Sequence, residues 1–281
     1  MAIFKYTSPK NINLQNYIYA YCSGVGYIDS YKGYQFTKIY PSELSYLTFM
    51  ISKNSTSMKF EGLPIKKLHG VFLYKSSLDA IDLYSNNNYV DYFKILLTPT
   101  SVYELFGINP NQIEKNLLSV SDKSILYLYN KMKKIKEHNK RVDLVEKYLR
   151  LYLRYKSSSE NNLYFINQTL QNILKIKMTE LEKETGYSKV WINKNIKKST
   201  GFNFQNLKNL KRINCALYQI NDAIFLKKDI SLSQIAQDCG YYDQNHFIKS
   251  FKKFTKQTPK EYIEKSSNFL IISQKGFSGN L

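Results

Sequence analysis

The chain has 281 residues, 43% of them hydrophobic, which is enough for two domains with separate cores. Lys and Arg number 41 against 22 Asp and Glu, and the resulting formal charge of +19 indicates a polyanionic partner, with nucleic acid the first expectation and an anionic membrane surface the second. No apolar run approaches the roughly 18 residues that span a bilayer, and no secretion signal begins the chain, so we expect a cytoplasmic protein with no membrane partner.

The first 110 residues alternate short apolar runs with turn signals, which is typical of a strand-rich domain. The predicted strands are Leu44–Ile51, Met58–Phe60, Gly70–Tyr74 and Tyr92–Thr98, the last after an Asn86-Asn87-Asn88 turn. A short helix is expected over residues 101–106, ending at Gly107, with a turn at residues 109–111. Two amphipathic helices follow, whose apolar stripes are Ile125, Leu128, Met132 and Ile135, and Val142, Val145, Leu149 and Tyr152.

A polar connector, Lys156–Asn162, separates this part from a region that consists of helix and turn signals. The predicted fold class is α+β and multidomain. Residues 1–156 form a mainly β domain with trailing helices, residues 163–265 an all-α domain of about seven helices, and residues 266–281 a C-terminal tail. Residues 1–120 hold 11 Lys and Arg against 8 Asp and Glu, so most of the basic excess lies in the later segments.

The all-α domain contains an internal repeat. Residues 192–198 match residues 247–253 at a constant offset of 55, and each copy has apolar residues at i and i+4 with a lysine at i+2. The lysines are Lys194 and Lys249. On a helix, this spacing places the apolar side chains on one side and the lysine on the other. Each copy therefore predicts a helix with a buried face and a basic outer face.

A helix and a glycine turn precede each basic helix. Residues 181–187 and residues 233–241 both end in Gly-Tyr. Helix, glycine turn and second helix is the order of a helix-turn-helix unit, whose second helix enters the DNA major groove. Ser188 and Asp243 stand where a side-chain oxygen can accept the free amide hydrogens of the second helix.

The predicted DNA contacts follow from this arrangement. Lys can donate to guanine, and Gln or Asn can pair with adenine, so the helix starts are expected to face base edges. These reading residues are Lys189, Val190, Asn193 and Lys194 in the first unit, and Gln244, Asn245 and Lys249 in the second. Lysines further along are expected to meet phosphates, namely Lys197, Lys198, Lys252 and Lys253. The alternative for the lysines is a solvated helix face, and for Val190 it is simple exposure.

The second unit resembles the signature of AraC/XylS-type regulators. The residues that carry the resemblance are Ile235-Ala236-Gln237-Asp238-Cys239-Gly240-Tyr241, Phe247, Phe251-Lys252-Lys253, Thr258-Pro259 and Tyr262. The first unit is similar through Gly186-Tyr187-Ser188, Ile192, Lys194, Lys197, Gly201, Arg212 and Ala216. The resemblance covers residues 163–265 and implies a sequence-specific DNA-binding transcription regulator, either an activator or a repressor, with double-stranded DNA as its partner.

The N-terminal part is similar to one class of regulatory domains found ahead of such units. The matching segments are Tyr40-Pro41-Ser42-Glu43-Leu44, Gly70-Val71-Phe72, Leu97-Thr98-Pro99 and Leu105-Phe106-Gly107. This resemblance implies that residues 1–156 form a regulatory or dimerisation domain. The partners it implies are an unidentified small-molecule or protein effector, a second copy in a homodimer, and RNA polymerase if the protein is an activator.

Four residues depart from the family pattern. Glu182 replaces a small residue where the helices of the first unit cross, and it must either tilt outward or signal a different helix register. Lys256 stands where a glycine is expected, so the turn there is either rearranged or mildly strained. Ile196 replaces Phe and Ile263 replaces Arg.

Residues 207–225 lack Pro and Gly, which predicts one continuous helix between the two units. A rigid connector would hold the two second helices in successive major-groove segments, about 34 Å apart.

Other chemistries find little support in the sequence. Cys22, Cys215 and Cys239 lie far apart without a C-x-x-C pair, so neither a disulfide framework nor a zinc site is predicted, and all three are expected to be core or incidental thiols. The three histidines have no metal-ligand spacing, and no cofactor motif or catalytic site is found, so an enzyme is not expected. Two alternatives remain: a nonspecific architectural DNA-binding protein, and a DNA-repair alkyltransferase fusion, which would need a Cys-His-Arg sequence that no cysteine here provides.

Overall fold

The computed structural model describes residues 3–27, 35–52, 56–59, 66–68, 70–75, 77–85, 89–155 and 161–266. The chain divides into two units. Unit 1 comprises Met1–Ile39, Leu44–Ser76 and Ile81–Asn161, and unit 2 comprises Tyr40–Glu43, Ser77–Ala80 and Asn162–Leu281. Most of the predicted connector, the Asn86–Asn88 turn and nearly all of the predicted tail lie outside the described residues.

Unit 1 contains two antiparallel sheets. Their strands are β1 (Ile3–Thr7), β2 (Ile18–Tyr27), β3 (Gln35–Ile39), β4 (Ser45–Met50), β5 (Thr56–Lys59), β6 (Lys66–Leu68), β7 (Gly70–Tyr74), β8 (Ile81–Ser85), β9 (Tyr89–Leu97) and β10 (Leu117–Ser119). One sheet has the order β1-β2-β9-β4-β7-β10 and the other the order β3-β8-β5-β6. The four predicted strands are present, whereas the structure adds strands that were not predicted, namely β1, β2, β3, β6, β8 and β10. Ser23, Gly24 and Gly26 lower the strand propensity of β2, which is held by pairing with β1 and β9 on its two sides.

Helices cover one face of the six-stranded sheet. They are α1 (Ile12–Gln15), α2 (Ser101–Phe106), α3 (Lys123–Met132) and α4 (His138–Tyr155). The α2 helix ends as predicted at Gly107, whose φ is 65°. The apolar core between helices and sheet includes Tyr21, Phe49, Phe93, Ile95, Ile125, Leu128, Met132, Val142, Val145 and Leu149. The predicted stripes are thus buried except at their ends, where Ile135 and Tyr152 are only half-buried.

Buried polar contacts join α4 to the six-stranded sheet. Arg141, with no exposed surface, pairs through Nη1 with Oδ1 of Asp91 in β9 at 2.8 Å, and its Nε donates to the carbonyl oxygen of Ile135. The ring nitrogens of His138 lie 2.8 Å from Ser23 Oγ and 3.0 Å from Thr7 Oγ1. Burial lowers the pKa of His138 to about 4, so at neutral pH the imidazole is uncharged.

The described residues of unit 2 from Asn162 onward form helices joined by turns, which confirms the predicted α+β fold class. Its helices are α5 (Asn161–Gln171), α6 (Met178–Thr185), α7 (Lys189–Thr200), α8 (Phe204–Leu226), α9 (Leu232–Asp238), α10 (Gln244–Thr255) and α11 (Pro259–Ser266). The predicted continuous connector is α8, which spans 23 residues. In the described part of the chain, no helix is long and apolar enough to cross a membrane.

Candidate DNA interface

The first helix-turn-helix unit consists of α6, a left-handed turn at Gly186 and α7. Gly186 has a φ of 71°, and its N–H donates to the carbonyl oxygen of Glu182. Ser188 Oγ accepts from the N–H of Trp191, as a cap residue should. The Oε1 of Glu182 accepts from the N–H of Lys189 at 2.5 Å. The Glu182 side chain therefore points away from the core and adds a second acceptor at the start of α7, which decides between the two alternatives that the sequence left open.

The second unit repeats this design with α9, a turn at Gly240 and α10. Gly240 has a φ of 74°, and Asp243 Oδ1 accepts from the N–H of His246 at 2.7 Å. His246 is exposed, with its ring edge-on to Tyr241 at 5.4 Å between centroids. Both predicted caps are thus present, and each leaves the positive end of a helix facing outward.

The repeat has the amphipathic geometry that its spacing predicts. Ile192, Ile196, Phe247 and Phe251 have at most 1% exposed surface, whereas Lys194 and Lys249 are exposed. The other exposed members of the predicted set are Lys189, Val190, Lys197, Lys198, Gln244, Asn245, Lys252 and Lys253. In the described residues, no ion pair neutralises Lys189, Lys194, Lys249 or Lys252. Two basic helix faces are therefore available to a polyanion.

Asn193 differs from the other predicted reading residues. It is half-buried, its Oδ1 accepts from the N–H of Phe204 at 3.1 Å, and its Nδ2 donates to the carbonyl oxygen of Lys189 at 3.2 Å. Both ends of the amide are used within unit 2. These bonds join α7 to the first residue of α8, so the side chain has a structural role in the free protein.

The α8 helix contacts both units through different residues. Its start meets α7 at Phe204, the guanidinium of Arg212 lies 5.7 Å from the centre of the Tyr241 ring, and Asn221 Oδ1 accepts from the hydroxyl of Tyr262 in α11. Arg212 and Asn221 are 8 and 17 residues beyond Phe204, which is about 12 and 26 Å along a helix axis. A single rigid element thus sets the spacing of the two units.

The cysteine prediction is wrong for two of the three residues. Cys215 and Cys239 form a disulfide, with a Cα–Cα distance of 5.6 Å. Cys215 lies on α8 and Cys239 caps the C-terminus of α9, so the packing of α9 on α8 brings together two residues that are 24 positions apart. Cys22 in β2 is a buried free thiol, as expected.

Trp191 is half-buried and stacks on Tyr187 with 3.8 Å between ring centroids. Two other features of unit 2 were missed at the level of sequence. The first is Tyr242, beside the start of α10, which is 92% exposed. The second is a cavity of about 510 Å³ at the starts of α6, α7 and α8, whose lining includes four basic residues. The exposure of Tyr242 could have been predicted from its position just after the turn at Gly240. The cavity could not, because its lining residues come from three separate helices.

The match to a family model agrees with the geometry of the two units. Residues 181–265 match the family described as a helix-turn-helix domain. No curated protein matches the chain. Among solved structures, ToxT from Vibrio cholerae is 13% identical with a TM-score of 0.49, over 97% of this chain and 98% of that chain. The xylose-binding transcription activator XylR is 23% identical with a TM-score of 0.30, over 40% of this chain and 28% of that chain.

The class of protein follows from the family match and the paired units, which support a DNA-binding transcription regulator. Residues 181–265 are a helix-turn-helix domain, and the resemblance predicted for this region is confirmed.

Proposed function

We propose that the chain is a sequence-specific transcription regulator that reads two successive major-groove segments with α7 and α10. The observation that carries this proposal is the attachment of both basic helices to the one continuous helix α8. Because α8 is rigid, one molecule presents two reading helices at a fixed separation, which suits one face of the duplex about one helical turn apart. The exposed side chains at the starts of the two helices differ, so the two sub-sites should differ in sequence.

In this proposal, Lys194, Gln244, Asn245 and Lys249 face base edges, and Lys197, Lys198, Lys252 and Lys253 face phosphates. Val190, which is 77% exposed, is placed to contact a thymine methyl group. Lys189 stands at the edge of the reading surface. Asn193 stays in the site as a residue that positions α7, since both ends of its amide are bonded within the domain.

The proposal is tested by the spacing of the two sub-sites. A duplex selected from random sequence by the full chain should show a bipartite, asymmetric site. Insertion of five base pairs between the sub-sites turns the second one to the opposite side of the duplex and should abolish tight binding. Full affinity for the spacer variant would show that a single unit reads the bases or that the connection is flexible.

Substitutions separate specificity from affinity. Lys249→Ala and Gln244→Ala should each cost about 1 to 3 kcal/mol of discrimination between the selected and a random duplex. Lys253→Ala should weaken both duplexes alike and reduce the salt dependence. Equal losses on both duplexes for all three variants would favour the architectural alternative, in which the protein binds DNA without reading it.

We also propose that unit 1 senses an anionic effector and takes no part in catalysis. Lys94 in β9 is directly opposite Cys22 in β2, and its Nζ lies 4.6 Å from the centre of the Tyr92 ring. Burial lowers the pKa of Lys94, and in the described residues no carboxylate pairs with it. A partly desolvated cation that no carboxylate neutralises is suited to an anionic ligand. Anions that raise the melting temperature of the wild type but not of Lys94→Met would support this assignment, and equal shifts in both would refute it.

Binding of the effector would change the DNA-competent population only by its differential affinity for two states of the protein. Homodimer formation and, for an activator, contact with RNA polymerase complete the proposed set of partners.

A further inference from the structure

A basic cavity lies beside the first reading helix. It has a volume of about 510 Å³, and its basic lining residues are Lys177, Lys189, Lys208 and Arg212, from the start of α6, the start of α7 and α8. Asn193 and Phe204 form another part of the wall. Lys177 and Lys189 are exposed, whereas Lys208 and Arg212 are half-buried, so the positive charges extend from the surface into the cavity.

The positive charges in this cavity are not neutralised by other side chains that line it. None of the lining residues is acidic. The carboxylate of Glu180 raises the pKa of Lys208, but it does not line the cavity, and its Oε2 accepts from the N–H of Lys177 in the cap of α6. Burial lowers the pKa of Lys208, and the positive charges of Arg212 and Lys177 lower it further. Mutual repulsion of this kind is relieved when an anion enters.

The ammonium group of Lys208 is held in place by a hydrogen bond to a backbone carbonyl group. Its Nζ donates to the carbonyl oxygen of Ile176 at 2.7 Å, immediately before α6, and lies 5.8 Å from the centre of the Phe204 ring. An ammonium carries three donors, so two remain for a ligand. Because the side chain is already held in place, little of its conformational freedom is lost on binding.

We propose that this cavity holds one phosphate group of the DNA backbone, next to the major-groove segment read by α7. The inference rests on the proposed function, and it adds Lys177 and Lys208 to the DNA contacts. The α7 helix contributes Lys189 and Asn193 to the cavity wall, while its neighbouring residues Val190 and Lys194 are exposed for reading bases. A backbone flanking that segment passes the mouth of the cavity.

Size and charge fit this occupant. The cavity is larger than one phosphate and leaves room for the adjoining sugar, against which the ring of Phe204 can pack. Several lysines sharing one phosphate would fix the register of the first unit on the duplex without reading sequence.

The experiment tests whether the lysines of the cavity contact one particular phosphate of the DNA. In the selected duplex, each backbone phosphate is replaced in turn by a neutral methylphosphonate, and binding of the full chain is measured at several salt concentrations. The variants are Lys177→Gln, Lys208→Gln and the double variant. Lys183→Gln is the matched control, because Lys183 is an exposed lysine on α6 that does not line the cavity.

For the wild type, one methylphosphonate beside the first sub-site should weaken binding about 5- to 10-fold at 0.1 M salt, as expected for one lost phosphate contact. The double variant should lose a similar factor on the unmodified duplex, and its methylphosphonate penalty at that position should be smaller than that of the wild type, because only Lys189 and Arg212 remain in the cavity. The slope of log K against log salt should fall by about 0.9 for the double variant, since both lysines share one phosphate. Lys183→Gln should keep the methylphosphonate penalty.

Other outcomes overturn the proposal. A slope that falls by twice that amount means two independent phosphate contacts, and a double variant that keeps every methylphosphonate penalty places the phosphate elsewhere. Lys177→Gln removes an exposed side chain and keeps the test valid if Lys208→Gln fails to fold.

Titration of the DNA-free protein with inorganic phosphate and with a nucleoside monophosphate tests whether the cavity binds a free anion instead. Tight binding of either anion that Lys177→Gln abolishes, with methylphosphonate penalties that the lysine variants do not change, would assign the cavity to a small anion. If the wild type selects no sequence from random duplexes, the proposed function fails as well. Failure of the coupling alone leaves that function intact.

Discussion

Replacement of Lys256 by glycine should stabilise the C-terminal unit. Lys256 follows α10 with φ 64° and ψ 16°, and its N–H donates to the carbonyl oxygen of Lys252. Gly201 occupies the equivalent place after α7, with a φ of 82°. A left-handed conformation costs a residue with a Cβ about 1 to 2 kcal/mol, whereas glycine loses about 0.5 to 1 kcal/mol more backbone entropy on folding. The sequence left open whether this turn is rearranged or strained, and the structure has the strained form.

The expected gain for Lys256→Gly is the difference between these terms, about 0.5 to 1 kcal/mol. The substitution also removes an ion pair between Lys256 Nζ and Asp79 Oδ1 at 3.4 Å. Both side chains are about half-exposed, so this loss should be a few tenths of a kcal/mol at most. The melting temperature of a unit of this size should rise by about 2 to 4 °C.

The chain has a single tryptophan, Trp191, in the first unit of the same domain, so its fluorescence reports unfolding of this part of the protein. Gly186→Ala is the matched control. Gly186 has a φ of 71°, and a Cβ there would meet nothing within 4 Å, so the substitution adds backbone strain without a clash. It should lower the melting temperature by about as much as Lys256→Gly raises it. A drop for both variants would show that the Lys256 side chain contributes more than the strain costs.

Three further predictions concern stability. His138 has its pKa lowered to about 4, so its charging on unfolding should reduce stability as the pH falls from about 6.5 towards 4, by roughly 2 to 3 kcal/mol in total, and His138→Gln should flatten this pH dependence in urea titrations. Reduction, or Cys215→Ser, should destabilise the C-terminal unit by about 3 kcal/mol, because the bond to Cys239 closes a loop with a sequence separation of 24; an identical melting temperature with and without reductant would contradict this. Asp91→Asn should cost about 3 to 5 kcal/mol by leaving the buried charge of Arg141 unpaired, while replacing both residues by apolar ones should restore much of the loss.

The sequence by itself determined the local design of the two helix-turn-helix units. The i, i+4 spacing of Ile192 with Ile196 and of Phe247 with Phe251 specified the buried faces, and Ser188 and Asp243 specified where the second helices begin. These features depend on contacts within a few residues, so they are present in the order of the amino acids. The absence of Pro and Gly from residues 207–225 was likewise enough to predict a continuous α8.

Only the tertiary structure decided which distant residues meet. Cys215 and Cys239 were both expected to be unbonded thiols because nothing in their spacing shows that α9 packs on α8. The strand β2 is held by its neighbours β1 and β9, which a propensity within one segment does not record. Lys177 and Lys208 belong to different helices, and their common cavity exists because three helix starts converge. Long-range contacts arise from packing of whole elements, where geometry in three dimensions outweighs the preferences of any single stretch of chain.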